Sequence, residues 1–344
     1  MNGFLRPESM AGNIVLGLSA LVLLVLAADV AVAKLVSLAE YYRLSNAFMG
    51  MTVISLATSI PEITAHVTAS VGILRGTLDY QVGSAIVLGA NIGSDVIQQT
   101  LIMGVIVFIA GWLHFRRYFL WKSMVPMIAT TLMCILLGWD GVLSRLDGII
   151  LFGSFIAYTY YLYWDERKHF KPVPGEGNHD ANGEPAIKNG RQAAIAALIT
   201  LGAMAVTVLS AQMVLHSTEF VVLATGIGGS LIGVVTLGAA SALPELITAL
   251  SGVRKNAHGI SLGTLVGSNI TNPLVAFGLG ATISTYWVPR PVLVWDLPWE
   301  AVTGAILWAI LWFTKGRLGR VAGVYLVTLY VIYLVTRAVF FAVD

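Results

Sequence analysis

Glu62 and Glu245 each follow a proline inside a long apolar run, in ATSIPEI at 57–63 and ASALPEL at 240–246. A carboxylate at mid-membrane depth costs about 2.5–3.5 kcal/mol on insertion scales, so a cation, a proton or water has to compensate it. Four acids are read inside apolar spans (Asp29, Glu62, Asp95 and Glu245), and no lysine or arginine is read deep within one. Two carboxylates without a basic partner suit a divalent cation, and hard oxygen ligands prefer calcium to softer transition metals. Thr58, Ser59 and Ser241 put hydroxyls within one turn of the glutamates. Ser94 with Gln98, and Ser268 with Asn272, stand four residues apart, so each pair shares a helix face and offers neutral oxygens.

These residues need apolar elements to hold them. The chain is 57% hydrophobic and only 11% charged, with a mean hydropathy of +0.82. Soluble domains carry about 25% charged residues, so the composition points to an all-α integral membrane protein. Apolar segments predict ten spans, near 11–33, 45–73, 83–112, 119–138, 146–164, 191–215, 220–253, 260–285, 295–314 and 321–342. Spans two and seven exceed the roughly 20 residues needed to cross and contain Pro61 and Pro244. Each proline removes a backbone hydrogen bond, which predicts two broken helices. Ala31-Val32-Ala33 imitates a signal-peptide cleavage site, but a single cation, Arg6, precedes a long apolar run, and cleavage would remove a span.

The one long polar stretch, 165–190, mixes charge with proline and glycine and reads as a flexible linker. It divides the chain into five-span halves, 1–164 and 191–344. The halves share more than the proline motifs. LGANIGSDVIQ at 88–98 pairs with GTLVGSNITN at 263–272, while Asp29 and Gln212 each lie 33 residues before their glutamate. An odd number of spans per half inserts the second copy upside down, which predicts two inverted repeats with Glu62 and Glu245 facing each other. Basic residues favour one side. Lys34, Arg43, Arg116, Arg117, Lys122, the linker cations, Arg191, Arg254, Lys255, Lys315, Arg317 and Arg320 fall inside, against Arg6, Arg75, Arg145, Arg290 and Arg337 outside. Both termini are therefore expected outside a plasma or bacterial inner membrane, and the linker in the cytoplasm.

Asp29 reads as a structural or access-path residue. Asp95 points to a different side from the Ser94–Gln98 face and either tunes the site or caps a helix. His66, one turn beyond Glu62, is a hydrogen-bonding residue ahead of a proton relay. Glycines including Gly50, Gly83, Gly89, Gly93, Gly104, Gly233, Gly238, Gly263 and Gly267 allow close helix approach. Trp112, Trp121, Trp139, Trp164 and Trp287 read as interface anchors. Cys134 is the only cysteine, which excludes an intramolecular disulfide and a thiol metal site. No nucleotide loop, basic nucleic-acid patch or nucleophile–base set occurs, so neither a cofactor, a nucleic-acid or protein partner nor enzyme chemistry is expected.

At its proline and Gly-Ser motifs the chain resembles the calcium/cation antiporter superfamily, and within it the prokaryotic sodium/calcium exchanger branch. The resemblance covers about 29–110 and 212–285. It implies ten helices with alternating access, the first helix of each half sliding across the others. It also implies cation ligands at Thr58, Ser59, Glu62, Ser94, Gln98, Ser241, Glu245, Ser268 and Asn272. The pattern departs at Asn272, where that branch usually has aspartate, and at Ala242, where it has serine. Gln98 replaces asparagine, and Ala57 and Ala240 replace glycine. The expectation is a secondary antiporter exchanging Ca²⁺ for a monovalent cation, Na⁺ ahead of H⁺. A cation channel and a non-transporting membrane scaffold are the other classes weighed.

Overall fold

Proline decides where the two site helices bend. The computed structural model describes residues 9–41, 52, 55–115, 120–169, 187, 189–254 and 258–344. The chain runs from α1 (Met10–Tyr41) through α2 (Ser55–Thr58), α3 (Ile60–Leu74), α4 (Tyr80–Ile97), α5 (Met103–Ala110), α6 (Val125–Leu137) and α7 (Arg145–His169). It continues through α8 (Gly190–Thr225), α9 (Gly229–Gly233), α10 (Ala239–Ser241), α11 (Leu243–Arg254), α12 (His258–Thr271), α13 (Gly278–Ser284), α14 (Leu297–Phe313) and α15 (Arg320–Phe340). α2 and α3 part at Ser59 (φ −78°, ψ 5°), and α10 and α11 part at Ala242 (φ −78°, ψ −5°). Both bends lie two residues before a proline and have matching dihedrals. Each break spans a single residue, because Ile63 and Leu246 still donate back to Ser59 and Ala242.

Among the described residues, seven helices are long and apolar enough to cross a membrane, including a continuous Tyr80–Ala110 and Gly229–Leu250. Ile60–Leu74 is apolar but shorter. The protein is therefore a multi-pass, mostly helical membrane chain. The sixth helix runs to Thr225, beyond the expected 215, and ends on Gly226 in the left-handed region (φ +70°); the seventh starts at Gly229 rather than near 220. Four short strands depart from a purely helical reading. β1 (Trp112–His114) pairs with β4 (Arg317–Gly319), and β2 (Val142–Leu143) with β3 (Tyr286–Trp287), both antiparallel, tying loops of the two halves together. Residues 170–186 and 188 of the expected linker, together with Arg6, Arg43, Gly50, Arg116, Arg117 and Lys255, lie outside the described residues.

Glycines set the tightest crossing. α4 meets α9 and the π-turn Val234–Gly238 where Gly93 lies against Val234 and Gly238 against the Ala90 carbonyl. A Cβ at either position would stand 2.7 or 2.6 Å from backbone atoms. Gly89 and Gly233 face the Ser230 and Ile86 carbonyls even more closely. Gly104 instead packs on Gly323 of α15, away from that crossing. α1 and α8 pack along each other, with Gly17 against Ser217. Trp112, Trp121, Trp139 and Trp164 are exposed, as interface anchors must be.

Overpacking a tight crossing costs about 1–3 kcal/mol. Gly89→Ala and Gly233→Ala should each lower the apparent melting temperature in detergent by several degrees. Gly153→Ala, where a Cβ meets nothing within 4 Å, should leave it level or raise it. Size-exclusion analysis after graded heating reads the difference.

Candidate cation site

Glu62 occupies the first turn of α3 and Glu245 the first turn of α11, just past the bends. The positive end of each helix dipole favours the negative charge there. Both carboxyls are buried, at 3% and 0% exposure. Ser94, near the end of α4, donates to Glu62 Oε1 at 2.9 Å, and Ser268, near the end of α12, donates to Glu245 Oε1 at 3.3 Å. Each glutamate is thus held by the Gly-Ser motif of its own half.

The halves are also stitched crosswise. Ser241 lies near Glu62 and Thr58 near Glu245, while their hydroxyls bond to the Gly238 and Ser55 carbonyls. Thr58 Oγ1 is 3.5 Å from Ser268 Oγ, and Ser55 Oγ is 2.7 Å from Thr271 Oγ1. The two carboxylates act on each other electrostatically. After each motif serine the helix widens into a π-turn, Gln98–Ile102 and Asn272–Phe277, a distortion common at functional sites. Pro273 lacks an N–H in the second turn, and in the first Thr100 bonds back to the Val96 carbonyl.

Gln98 Nε2 donates to Ser94 Oγ at 3.1 Å, and its Oε1 accepts from Asn269 Nδ2 at 3.0 Å, leaving that oxygen one lone pair. Gln99 donates to Asn269 Oδ1 at 2.7 Å, and Asn272 Nδ2 donates to Asp95 Oδ1 at 2.7 Å. Glu62 Oε2, Glu245 Oε2, Ser59 Oγ and Asn272 Oδ1 are buried with no protein partner among the described residues. Buried polar atoms are almost always paired, because an orphan costs about 1–3 kcal/mol. Here the orphans are oxygens on the residues that the motifs single out, a donor set that fits a hard cation. Among the described residues no three acidic, histidine or cysteine groups gather as a metal centre, so neutral oxygens have to complete the shell.

All nine expected ligand residues are buried in this region: Thr58, Ser59, Glu62, Ser94, Gln98, Ser241, Glu245, Ser268 and Asn272. Asp29 is exposed on α1 and, among the described residues, is hydrogen-bonded to none of them. His66 Nδ1 lies 3.1 Å from the Tyr286 hydroxyl, and the ring packs against Phe277 and Tyr286, the geometry of a hydrogen-bonding residue.

The count of intramembrane charges needs correction. Asp296 and Glu300, one turn apart in the helical stretch from Val292 to Phe313, are buried acids as well. Arg337, expected in an outer segment, is fully buried, and its Nε donates to Asp296 at 3.0 and 3.1 Å while Tyr333 donates at 3.0 Å. The i, i+4 acid spacing inside a predicted span was the available signal; the Arg337 pairing joins residues 41 apart and required the fold. Glu300 accepts from Thr131 at 2.7 Å.

Escherichia coli (strain K12) inner membrane protein YrbG is 27% identical over 320 residues, covering 91% of this chain and 93% of that protein. By fold, the sodium-calcium exchanger NCX_Mj, soaked with Na⁺ and Ca²⁺, covers 97% of this chain and 99% of its own at TM-score 0.62 and 21% identity. An H⁺/Ca²⁺ exchanger, CAX, covers 94% of this chain and 82% of its own at TM-score 0.75 and 15% identity. These two are likenesses of fold. The profile of one family matches residues 12–164 and 195–339, on both sides of the polar stretch and over well more than half the chain, so the protein belongs to the sodium/calcium exchanger protein family.

Proposed function

We propose that this chain is a secondary antiporter that carries Ca²⁺ in exchange for a monovalent cation, at a site centred on Glu62 and Glu245. One observation carries the reading: each buried glutamate has one oxygen bonded to a motif serine and one without a partner, on helices braced across the two halves. Two carboxylates balance one Ca²⁺, and Thr58, Ser59, Ser94, Gln98, Ser241, Ser268 and Asn272 add neutral oxygens. If a monovalent ion needs the same carboxylates, the two cargoes exclude each other. Each crossing then carries one or the other, and exchange needs no separate coupling device.

The fold in this reading is ten spans in two inverted halves, 1–164 and 191–344, joined by a cytoplasmic linker at 165–190, with both termini outside. The matching bends at Ser59 and Ala242 and the paired π-turns support it. α1 and α8, packed on each other, would be the sliding pair. Na⁺ is the favoured counter-ion from the motif context. Amides at both Gln98 and Asn272 favour H⁺ as the second reading.

Proteoliposomes loaded with Na⁺ should accumulate ⁴⁵Ca²⁺ when diluted into Na⁺-free buffer. Uptake driven by an imposed pH gradient, with no effect of Na⁺, would move the coupling to protons; ohmic single-channel currents would reject antiport. Glu62→Gln and Glu245→Gln should each weaken Ca²⁺ binding about 100-fold, since affinity follows ligand charge. Loss of a hydrogen bond to a charged group costs about 1.5–3 kcal/mol, so Ser94→Ala should weaken it about tenfold or more. In every functional variant, Ca²⁺ affinity should fall as the medium is acidified, because protons compete for the carboxylates. Equilibrium ⁴⁵Ca²⁺ binding across a pH series checks all three statements.

A further inference from the structure

Residues 341–344, which follow α15, turn back onto the junction between α8 and α9. α8 is stopped by Gly226 and α9 begins at Gly229, so only 226–228 join the two helices. The Gly228 N–H donates to the Ala342 carbonyl at 2.8 Å. In the first turn of α9 the Ser230 N–H donates to Asp344 Oδ2 at 3.0 Å, and the Ser230 hydroxyl bonds to Asp344 Oδ1. A Cβ on Gly228 would stand 2.9 Å from the Asp344 backbone nitrogen, so glycine is what lets the two backbones meet. The Phe341 ring stacks on Trp295, centroids 5.3 Å apart, and seats the returning segment against the stretch that carries Asp296.

Charge makes this contact releasable. Behind it stands Arg337, whose Nε donates to both oxygens of Asp296 and whose Nη2 bonds to Ser230 Oγ, 4.0 Å from Asp344 Oδ1. Arg337 and Asp296 balance each other, and both side chains are fully buried. Asp344 is the surplus acid, with 12% of its side chain exposed. Losing Asp296 would leave a buried arginine unpaired, which is the costly case. Losing Asp344 leaves the inner pair intact, and water can replace it on the Ser230 N–H. The outer contact can therefore open while the ion pair behind it stays whole.

We propose that residues 341–344 are a releasable strap over the α8–α9 junction, and that the Asp344–Ser230 contact opens when α8 shifts against the helices around the cation site. The inference rests on the antiport reading above, in which α1 and α8 slide. The three linking residues span at most about 10 Å when extended. The strap grips one of them, Gly228, together with the start of α9. While it is closed, movement of α8 is confined to Gly226 and Ile227. Once it opens, the whole link is free, and α9, which crosses α4 backbone to backbone, can follow. Asp344 thus governs the rate of exchange without touching the cation.

The experiment locks the strap with a disulfide. Ser230→Cys and Asp344→Cys are combined with Cys134→Ser, which removes the only native cysteine. The two side chains already touch, so their Cβ atoms stand within reach of a disulfide. The reduced protein has lost the strap's side-chain bonds, and its ⁴⁵Ca²⁺ exchange in proteoliposomes should match or exceed the wild-type rate. Oxidation should slow exchange about tenfold or more, reversibly with dithiothreitol, and leave equilibrium ⁴⁵Ca²⁺ binding unchanged. Asp344→Ala should speed amide hydrogen exchange over 225–231, and oxidation of the cysteine pair should slow it. Undiminished ion exchange in the oxidised protein overturns the strap. So does a cysteine pair that fails to oxidise, or an Asp344→Ala variant whose 225–231 amides exchange no faster than in wild type. Failure of the antiport reading looks different: wild type would carry no ⁴⁵Ca²⁺, while the amides over 225–231 would still report whether Asp344 holds the junction.

Discussion

Negative charge held without a fixed positive partner is the constraint on which the rest of this structure depends. Glu62 and Glu245 sit buried in a chain whose interior offers one described arginine, and that arginine is spent on Asp296. Breaking a buried pair by removing one partner costs about 3–5 kcal/mol, which is why Arg337 cannot be shared. The glutamates are stabilised instead by hydroxyl donors and by helix N-termini, and their second oxygens are left without a protein partner. Such a centre is stable enough to fold and incomplete enough to bind.

The backbone around it is shaped to that end. A straight helix would carry each glutamate as one more side chain on a continuous ladder. Proline two residues after Ser59 and Ala242 interrupts the ladder, so that the glutamates fall in first turns. The π-turns after Ser94 and Ser268 begin at Gln98 and Asn272, whose amides bond to Ser94 and Asp95. All of this requires four helical segments in close contact, and the glycines of α4 and α9 permit backbone to meet backbone where side chains would hold it apart.

Much of the polar interior works as bracing. Asn269 bonds to both Gln98 and Gln99 across sequence separations of 171 and 170 residues, and Ser70, His66 and Tyr286 form a second buried cluster. The cluster anchors β3, whose pairing with β2 joins loops of the two halves. Under the antiport proposed above, a site opening alternately to two sides would need rigid blocks on either side of whatever moves. The long mutual contact of α1 and α8, beside rather than within this bracing, fits that requirement.

Sequence by itself determined the membrane class, the proline bends, the duplicated motifs and the nine buried oxygen-bearing residues, because apolar run length, a missing N–H and motif spacing are local properties. Span ends were less legible. Thr225 extends the sixth helix because Gly226, not hydropathy, stops it. What only tertiary structure decided is partnership. That Asn272 meets Asp95, that Asn269 ties Gln98 to Gln99, and that Arg337 neutralises Asp296 depend on which helix faces which, and no periodicity encodes a neighbour. The short strands were invisible for the same reason: a two- or three-residue ladder exists only once a distant loop arrives beside it.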